Sequence, residues 1–272
     1  MRKLLNILFI AFVCSTLSMH AQETDFKLNE YQRQMRDAAA LNGRQSKEYA
    51  VAMCRYGSLF ADSLNAKIYN MKKAAQYMQP AVDLVMSVAP ESQEAVEVLT
   101  EVMATYLKSK HKEKAIEYAE PLFNILKKEI ESQFADFDQT DRHMYWEGRT
   151  YEINVLLAAL DNGKMSPVHQ DMLYNLCLYQ KGMAPHARTV NDNLMPDFRQ
   201  VAAVLVAQEL AVEFVSYYFN GLEYYMASVL RSKWSHPKKV SLCPRTEIID
   251  VIINNKSRVL CIRRSDRDQD SD

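Results

Sequence analysis

Residues 211–231, AVEFVSYYFNGLEYYMASVLR, decide the fold, because they break a pattern that holds for most of the chain before them. Val212, Phe214, Ser216 and Tyr218 alternate with Glu213, Val215, Tyr217 and Phe219, the period of two that marks a strand rather than a helix. Asn220-Gly221 is the preferred pair for a two-residue hairpin turn, whose central residues both need positive φ, and Tyr224 to Arg231 supplies the returning strand. Beyond it, KKVSLC (238–243) reads as a third strand and RTEIIDVIINN (245–255) as a helix. Three strands and one helix make a poor independent core, and their exposed edges invite pairing.

Upstream, the sequence reads as helices. The chain has 272 residues, 48% hydrophobic and 25% charged, an ordinary globular composition with length enough for a real core. With 6 Gly and 8 Pro, there is little from which to build the many tight turns of an all-β fold or a glycine-rich nucleotide site. Residues 45–64 put Tyr49, Met53, Tyr56, Leu59 and Phe60 near one helical face, and residues 92–107 do the same with Val96, Leu99, Met103 and Tyr106. Each is followed by a second amphipathic stretch, NMKKAAQYMQPAVDLVMSVAP (70–90) and HKEKAIEYAEPLFNILKKEI (111–130). These align at Ala74 and Ala115, each preceded by Lys and followed three residues later by Tyr, at a spacing of 41 residues. A small residue at a helix crossing lets two backbones approach while aromatics fill the neighbouring grooves. A third pair follows: RTYEINVLLAALDNGKM (149–165) stops at Asn162-Gly163, and SPVHQDMLYNLCLYQKGM (166–183) opens with Ser166 as cap and Pro167 in the first turn. MPDFRQVAAVLVAQE (195–209) reads as a short amphipathic helix.

The amino terminus, MRKLLNILFIAFVCSTLSMHAQE, has Arg2 and Lys3, an apolar run from Leu4 to Cys14, and small and polar residues to Ala21, the layout of a secretory signal. At about 1.5 Å per residue that run is too short to cross a hydrocarbon core of about 30 Å. Removing residues 1–21 leaves 31 Lys and Arg against 34 Asp and Glu, since the segment carries two bases and no acid. A net charge of −3 implies no polyanion partner. Four cysteines remain, Cys54, Cys177, Cys243 and Cys261, at spacings that are neither a disulfide framework nor a zinc signature.

The helical stretches resemble tetratricopeptide repeats, with Gly57 and Phe60 in the first-helix pattern and Met103 in place of the corresponding glycine in the second. LYNLCLYQKGM, then ELAVEFVSYYFNGLEYYMASVLR, then HPKKVSLC followed by a helix together resemble bacterial CHAT-domain proteins, in which such repeats precede a caspase-like cysteine peptidase domain. The resemblance implies that the hairpin is the entrance to an α/β sheet. It also implies catalysis by a His-Gly pair and a Cys further along the chain. No His-Gly pair occurs here, the helical section between Met183 and Pro196 is shorter than the resemblance leads one to expect, and SRVLCIRRSDRDQDSD (257–272) reads as a charged tail. The expected product is therefore cut short near the start of the peptidase domain.

The expected organisation is mainly α: a signal at 1–21, a helical or flexible lead at 22–44, tetratricopeptide-like antiparallel pairs at 45–183 and a joint at 184–195. A short α+β segment resembling the start of a CHAT domain follows at 196–256, and a disordered tail at 257–272. A thiol nucleophile needs a base at about 3 Å and donors for the oxyanion. His236 and Cys243, each followed by Pro, are the best local candidates, and a loop histidine with a partly buried thiol is the plainer reading. DFDQTDRHMYWE (136–147) places Asp136, Asp138 and Glu147 at positions one, three and twelve of a calcium loop, but Asp141 stands where the bend wants Gly. It reads as a polar joint. His143, His169 and His186 lack ligand spacing. RSKWSHPKK (231–239) mixes Arg231, Lys233, Lys238 and Lys239 with Trp234 as single-strand nucleic-acid sites do, yet it is short enough to be a solvated loop.

No catalytic residue, cofactor or metal is expected. The function expected is that of an exported interaction module whose concave helical face, bearing Tyr106, Tyr118, Tyr145 and Trp146, binds a protein or peptide. Neither nucleic acid nor a lasting membrane span is expected, and the location is periplasmic or extracellular. The alternatives are a CHAT-type cysteine peptidase lacking its catalytic part, or a gene remnant that folds only through its helices.

Overall fold

Ser46 starts the first well-buried helix: its side chain accepts from the Tyr49 amide at 3.1 Å, satisfying one of the donors a helix start leaves free. In the computed structural model, the residues described are 26–61, 68–133, 136, 138–182, 197–207 and 209–242. The expected signal, joint and tail, and the helix expected at 245–255, lie outside them. The described fold is mainly helical with one small antiparallel sheet. It divides into two compact units, residues 1–110 and 111–272.

In the first unit, α1 (residues 26–41) buries none of its side chains, so the lead is helical but peripheral. Gly43, at φ +83, takes the left-handed conformation that follows a helix end. Then come α2 (Lys47–Ser58), a 3-10 turn (Leu59–Ala61), α3 (Met71–Val88) and α4 (Gln93–Lys108). Asn70 and Ser92 cap α3 and α4 through side-chain oxygens. The buried face of α2 differs from expectation. Its centre is Ala50, Cys54 and Gly57, while Tyr49 and Met53 are only half-buried. The cause is a close crossing: a Cβ on Gly57 would sit 2.7 Å from the Tyr77 Cβ and 3.2 Å from the Ala74 carbonyl oxygen. Only small residues fit between two backbones so close, and Tyr56, Phe60 and Tyr77 fill the grooves beside them. Tyr56 meets the other two rings edge-on at 5.2 and 4.9 Å. The α2–α3 pair therefore has the small-residue crossing expected of it. α4 buries Val96, Leu99, Met103 and Tyr106 as expected, and buries its other faces through Ala95, Val98, Val102 and Leu107. Its polar rim is tied to α2 by Arg55–Glu97 and Lys47–Glu94 ion pairs at 2.5 and 2.9 Å.

The two halves of the second expected pair fall in different units, since the division lies at Lys110–His111. Ala115 also lies in a 3-10 stretch, Lys112–Tyr118, ahead of α5 (Ala119–Gln133), whereas Ala74 lies inside an α-helix. The alignment at Ala74 and Ala115 matches two fully buried alanines in different local structures.

The second unit continues with α6 (Gln139–Gly148), α7 (Thr150–Asn162), α8 (Pro167–Gly182), α9 (Phe198–Val204), β1 (Leu210–Phe219), β2 (Leu222–Arg231) and β3 (Lys238–Ser241). Ser166 caps α8 as expected, accepting from the His169 amide at 3.3 Å. α7 ends at Gly163 without a left-handed turn, since Gly163 has φ −94. Glycine is needed there for space: a Cβ would lie 2.5 Å from that of Ile116. α9 is shorter than expected and opens with a capping box between Asp197 and Gln200. Its first amide also donates to the buried Asn175 of α8 at 2.9 Å.

The hairpin forms as read. β1 and β2 pair without interruption from Leu210 opposite Arg231 to Phe219 opposite Leu222, and β3 adds antiparallel to β2. Asn220 and Gly221 both have positive φ, 50 and 76, as a type I′ turn requires. Val215, Tyr217, Met226, Ser228 and Leu230 form the buried face, and Phe214 and Tyr218 point the other way, 56% and 55% exposed. α8 is the centre of this unit, with every residue from Met172 to Tyr179 buried. Phe123 of α5 stacks on Tyr179 at 6.2 Å, and Tyr174 and Leu178 cluster with Phe198 and Leu230.

The glycines give opposite predictions. Gly57→Ala should destabilise the protein by about 1–3 kcal/mol through overpacking. Gly148→Ala meets no atom within 4 Å and should be neutral or stabilising by at most about 1 kcal/mol. Urea unfolding of the two variants against the parent checks both, and an unchanged midpoint for Gly57→Ala would mean the crossing opens freely.

Candidate functional site

Three of the four residues expected to bind a partner, Tyr118, Tyr145 and Trp146, lie in the second unit, and Tyr106 lies in the first. Tyr106 and Tyr118 are 6% and 7% exposed. They are core side chains: the aromatic periodicity that suggested a face is the periodicity of the interior. Tyr145 and Trp146 are half-buried on α6.

Tyr145 is held from α5. Its hydroxyl donates to Glu129 Oε2 at 2.7 Å, while one terminal nitrogen of Arg149 donates to both Glu129 oxygens at 2.8 and 2.9 Å. A second guanidinium nitrogen reaches Glu152 at 3.5 Å. Burial, and then the Glu129 carboxylate, push the Tyr145 hydroxyl pKa up, so it stays a donor. For Arg149, burial is the largest single influence and works against the charge, but Glu129, Tyr145 and Glu152 together outweigh it and the pKa is raised. The network fixes one side of α6. An adjoining face that continues from α6 into α7 carries what the sequence reading missed: Met144 is 64% exposed and Tyr151 55% exposed, with Gly148 between them at spacing i, i+4, i+7. Helical hydrogen bonds run through the α6–α7 junction, from the Arg149 amide to Tyr145 and from the Ile153 amide to Arg149. A Cβ at Gly148 would meet nothing within 4 Å. The result is an apolar stripe with a notch at its middle. Its signal was in the sequence, as the spacing of Met144, Gly148 and Tyr151.

A second set of polar contacts joins the sheet to the helix ends. Lys239 of β3 donates to the carbonyls of Leu160 and Asp161 at 3.1 and 2.8 Å and to Asp161 Oδ1 at 3.3 Å. Asp161 Oδ2 accepts from the Tyr217 hydroxyl at 2.9 Å. Asn162 covers the Ala158 carbonyl and the Gly163 amide that of Ala159, so with Lys239 on Leu160 and Asp161 most carbonyls of the last turn of α7 have a partner. A cation at a helix C-terminus also meets the negative end of the helix dipole. Burial, and then Asp161, push the Tyr217 pKa up.

His236 Nδ1 lies 2.9 Å from Asp171 Oδ1 of α8, a carboxylate–imidazole pair of the kind that orients a general base. Cys243, its expected companion, lies outside the described residues. The two described thiols are buried. Burial pushes Cys177 up to about 12 and Cys54 well above its ordinary value, so both stay protonated and unreactive near neutral pH. The 136–147 segment is no calcium loop, because its last nine residues are helical. Asp138 is the cap of α6, accepting from the Thr140 and Asp141 amides at 2.7 and 2.9 Å. Among the described residues, no group of three or more His, Cys, Asp or Glu could hold a metal ion. In the basic stretch, Arg231 and Lys238 lie over the Trp234 ring at 5.3 and 5.1 Å, and Lys239 turns inward to Asp161. Among the described residues, no helix is long and apolar enough to cross a membrane.

Comparison with protein-family models, with curated proteins and with solved structures finds no match to this chain.

Lys239→Met and Tyr217→Phe share Asp161, so their destabilisations should be non-additive by about 0.5–3 kcal/mol in a double-mutant cycle; simple addition would show the two bonds to be independent. The unfolded Cys177 thiol releases its proton near 9.0, whereas the folded one holds it to about 12. Its contribution is present below pH 9 and lost as pH rises toward 12. Chemical unfolding at pH 8 and pH 11 should show the fall, and a disulfide reagent at pH 8 should modify Cys54 and Cys177 only after denaturation.

Proposed function

We propose that this chain is an exported protein-interaction module that takes an apolar segment of a protein or peptide on the Met144–Gly148–Tyr151 stripe, with Tyr145 and Trp146 at its margin. One observation carries the reading: two large apolar side chains, Met144 of α6 and Tyr151 of α7, stand more than half exposed on either side of an open glycine notch, beside a partly buried Glu129–Arg149 ion pair. Surface aromatics and Met are what binding faces concentrate, and a fixed scaffold reduces the entropy cost of binding. The close α2–α3 crossing supports the tetratricopeptide-like reading for the first pair, and the uninterrupted hairpin with its third strand supports the likeness to the start of a CHAT domain. Export rests on the layout of residues 1–21. A catalytic reading would have to run through Cys243, which stands apart from the stripe in the sequence.

The test is a photoreactive phenylalanine in place of Tyr151, illuminated in the producing cells. A discrete adduct is expected, and Gly148→Arg, which fills the notch without touching the core, should reduce it at least tenfold, about 1.4 kcal/mol. An adduct pattern unchanged by Gly148→Arg, or reproduced from exposed Glu117, would overturn the stripe as the binding site. Peptide hydrolysis abolished by Cys243→Ala would overturn the non-catalytic reading.

A further inference from the structure

The two edges of the sheet are built differently. Strand order is β1-β2-β3. The β3 edge has only four residues, begins after Pro237 and carries Lys238 and Lys239, the devices by which edge strands refuse partners. The β1 edge lacks the short length, the Pro and the Lys, and its one inward-pointing charge is paired. It runs ten residues with no Pro, Lys or Arg and pairs with β2 without a bulge. Its one charge, Glu213, faces the helices, where Lys181 pairs with it. No strand covers the far edge of β1 among the described residues. Its outward row is Leu210, Val212, Phe214, Ser216 and Tyr218, with Leu210, Phe214 and Tyr218 47%, 56% and 55% exposed.

We infer that β1 is the contact of a symmetric dimer, in which two copies of this chain pair β1 to β1 antiparallel, centred on Phe214, to make one continuous six-stranded sheet. The strand is self-complementary in that register. Phe214 meets its own copy, Leu210 stands opposite Tyr218 and Val212 opposite Ser216, so that apolar and aromatic side chains meet across the outward face. On the inward face Glu213 falls opposite Val215 and Ala211 opposite Tyr217, so no like charges face each other. Shifting the centre by one residue to Glu213 would set the two carboxylates opposite each other, which disfavours that neighbour. An isologous contact of this kind closes on itself and leaves as outer edges only the two short, lysine-bearing β3 strands. The β1 edge would thus be covered by a copy of itself, and the sheet would end where its protective devices are.

Light scattering of the full chain as exported should give twice the monomer mass, and Phe214→Lys should return it to monomer while the far-ultraviolet circular dichroism stays unchanged. Phe214 is more than half exposed, so the charge does not enter the core; should Phe214→Lys nevertheless misfold, Tyr218→Lys serves the same purpose. The register is read separately. Phe214→Cys should cross-link to its own copy on mild oxidation, because directly opposed residues lie within disulfide reach, whereas Val206→Cys, exposed but outside the strand, should not exceed the parent. A parent chain that is monomeric at every concentration up to about 100 μM, well above a μM-range Kd, would overturn the inference, as would a dimer indifferent to both lysine variants. Either result would assign the β1 edge to another occupant, such as an extended peptide.

Discussion

The second unit depends on the meeting of Lys239 with the end of α7. This three-stranded sheet has one apolar face to bury, so it needs a helix beneath it and something to fix the seam. Burial of Val215, Met226 and Leu230 supplies the adhesion, but apolar contact is non-directional and would tolerate sliding. Lys239 is directional. Its ammonium finds two backbone carbonyls and a carboxylate at one point, and that carboxylate is claimed on its other oxygen by Tyr217 of β1. β1 and β3 are not neighbours in the sheet, so the shared Asp161 ties both outer strands to a single helix terminus. A one-residue slip of either strand would turn Lys239 or Tyr217 to the opposite face.

Other polar pairs repeat the device around α8. His236 reaches Asp171 near its start, Lys181 near its end reaches Glu213, and Asn175 in its middle receives the first amide of α9. Helix α8 is thus pinned at both ends and at its centre, which is why a helix with eight consecutive buried residues has a defined rotation. The seam is not fully satisfied. The Tyr174 hydroxyl and Ser228 Oγ are buried without a hydrogen-bond partner among the described residues, each at a cost of about 1–3 kcal/mol. Apolar packing of Tyr174 with Leu178, Phe198 and Leu230 offsets that cost.

Local features were legible in the sequence, and features joining distant residues were not. Asn220-Gly221 named its turn and Ser166-Pro167 its helix start, because a turn type or a cap is determined within a few residues. The buried face of α4 was legible from Val96, Leu99, Met103 and Tyr106. The face of α2 was read only in part: Tyr56 and Phe60 are buried, but the larger Tyr49 and Met53 were chosen over the small Ala50, Cys54 and Gly57 that the crossing selects. Hydrophobicity signals burial, but close approach is signalled by smallness. The aligned Ala74 and Ala115 are both fully buried, one inside an α-helix and one in a 3-10 stretch, so a shared small residue does not fix the local structure around it. Glu129–Arg149, Asp161–Lys239 and Asp171–His236 lie 20, 78 and 65 residues apart, and no periodicity links such pairs. The candidate site shows both limits. Tyr145 and Trp146 were named for being aromatic, whereas the exposed stripe beside them is defined by a missing side chain, at Gly148.

Three glycines make the same physical point in different ways. Gly57 and Gly163 exist for what lies against them, and neither uses the left-handed backbone that glycine alone adopts easily. A Cβ would push α3 off α2 in the first case and Ile116 off the α7 terminus in the second. At Gly163 that displacement would act one residue beyond Asn162 and two beyond Asp161, where Lys239 and Tyr217 converge, so the absence of one methyl group underlies the attachment of the sheet. Gly148 has nothing against it, and glycine there lowers helix stability relative to alanine. A structural position of that kind needs no glycine, whereas the proposed binding surface, admitting a side chain between Met144 and Tyr151, would.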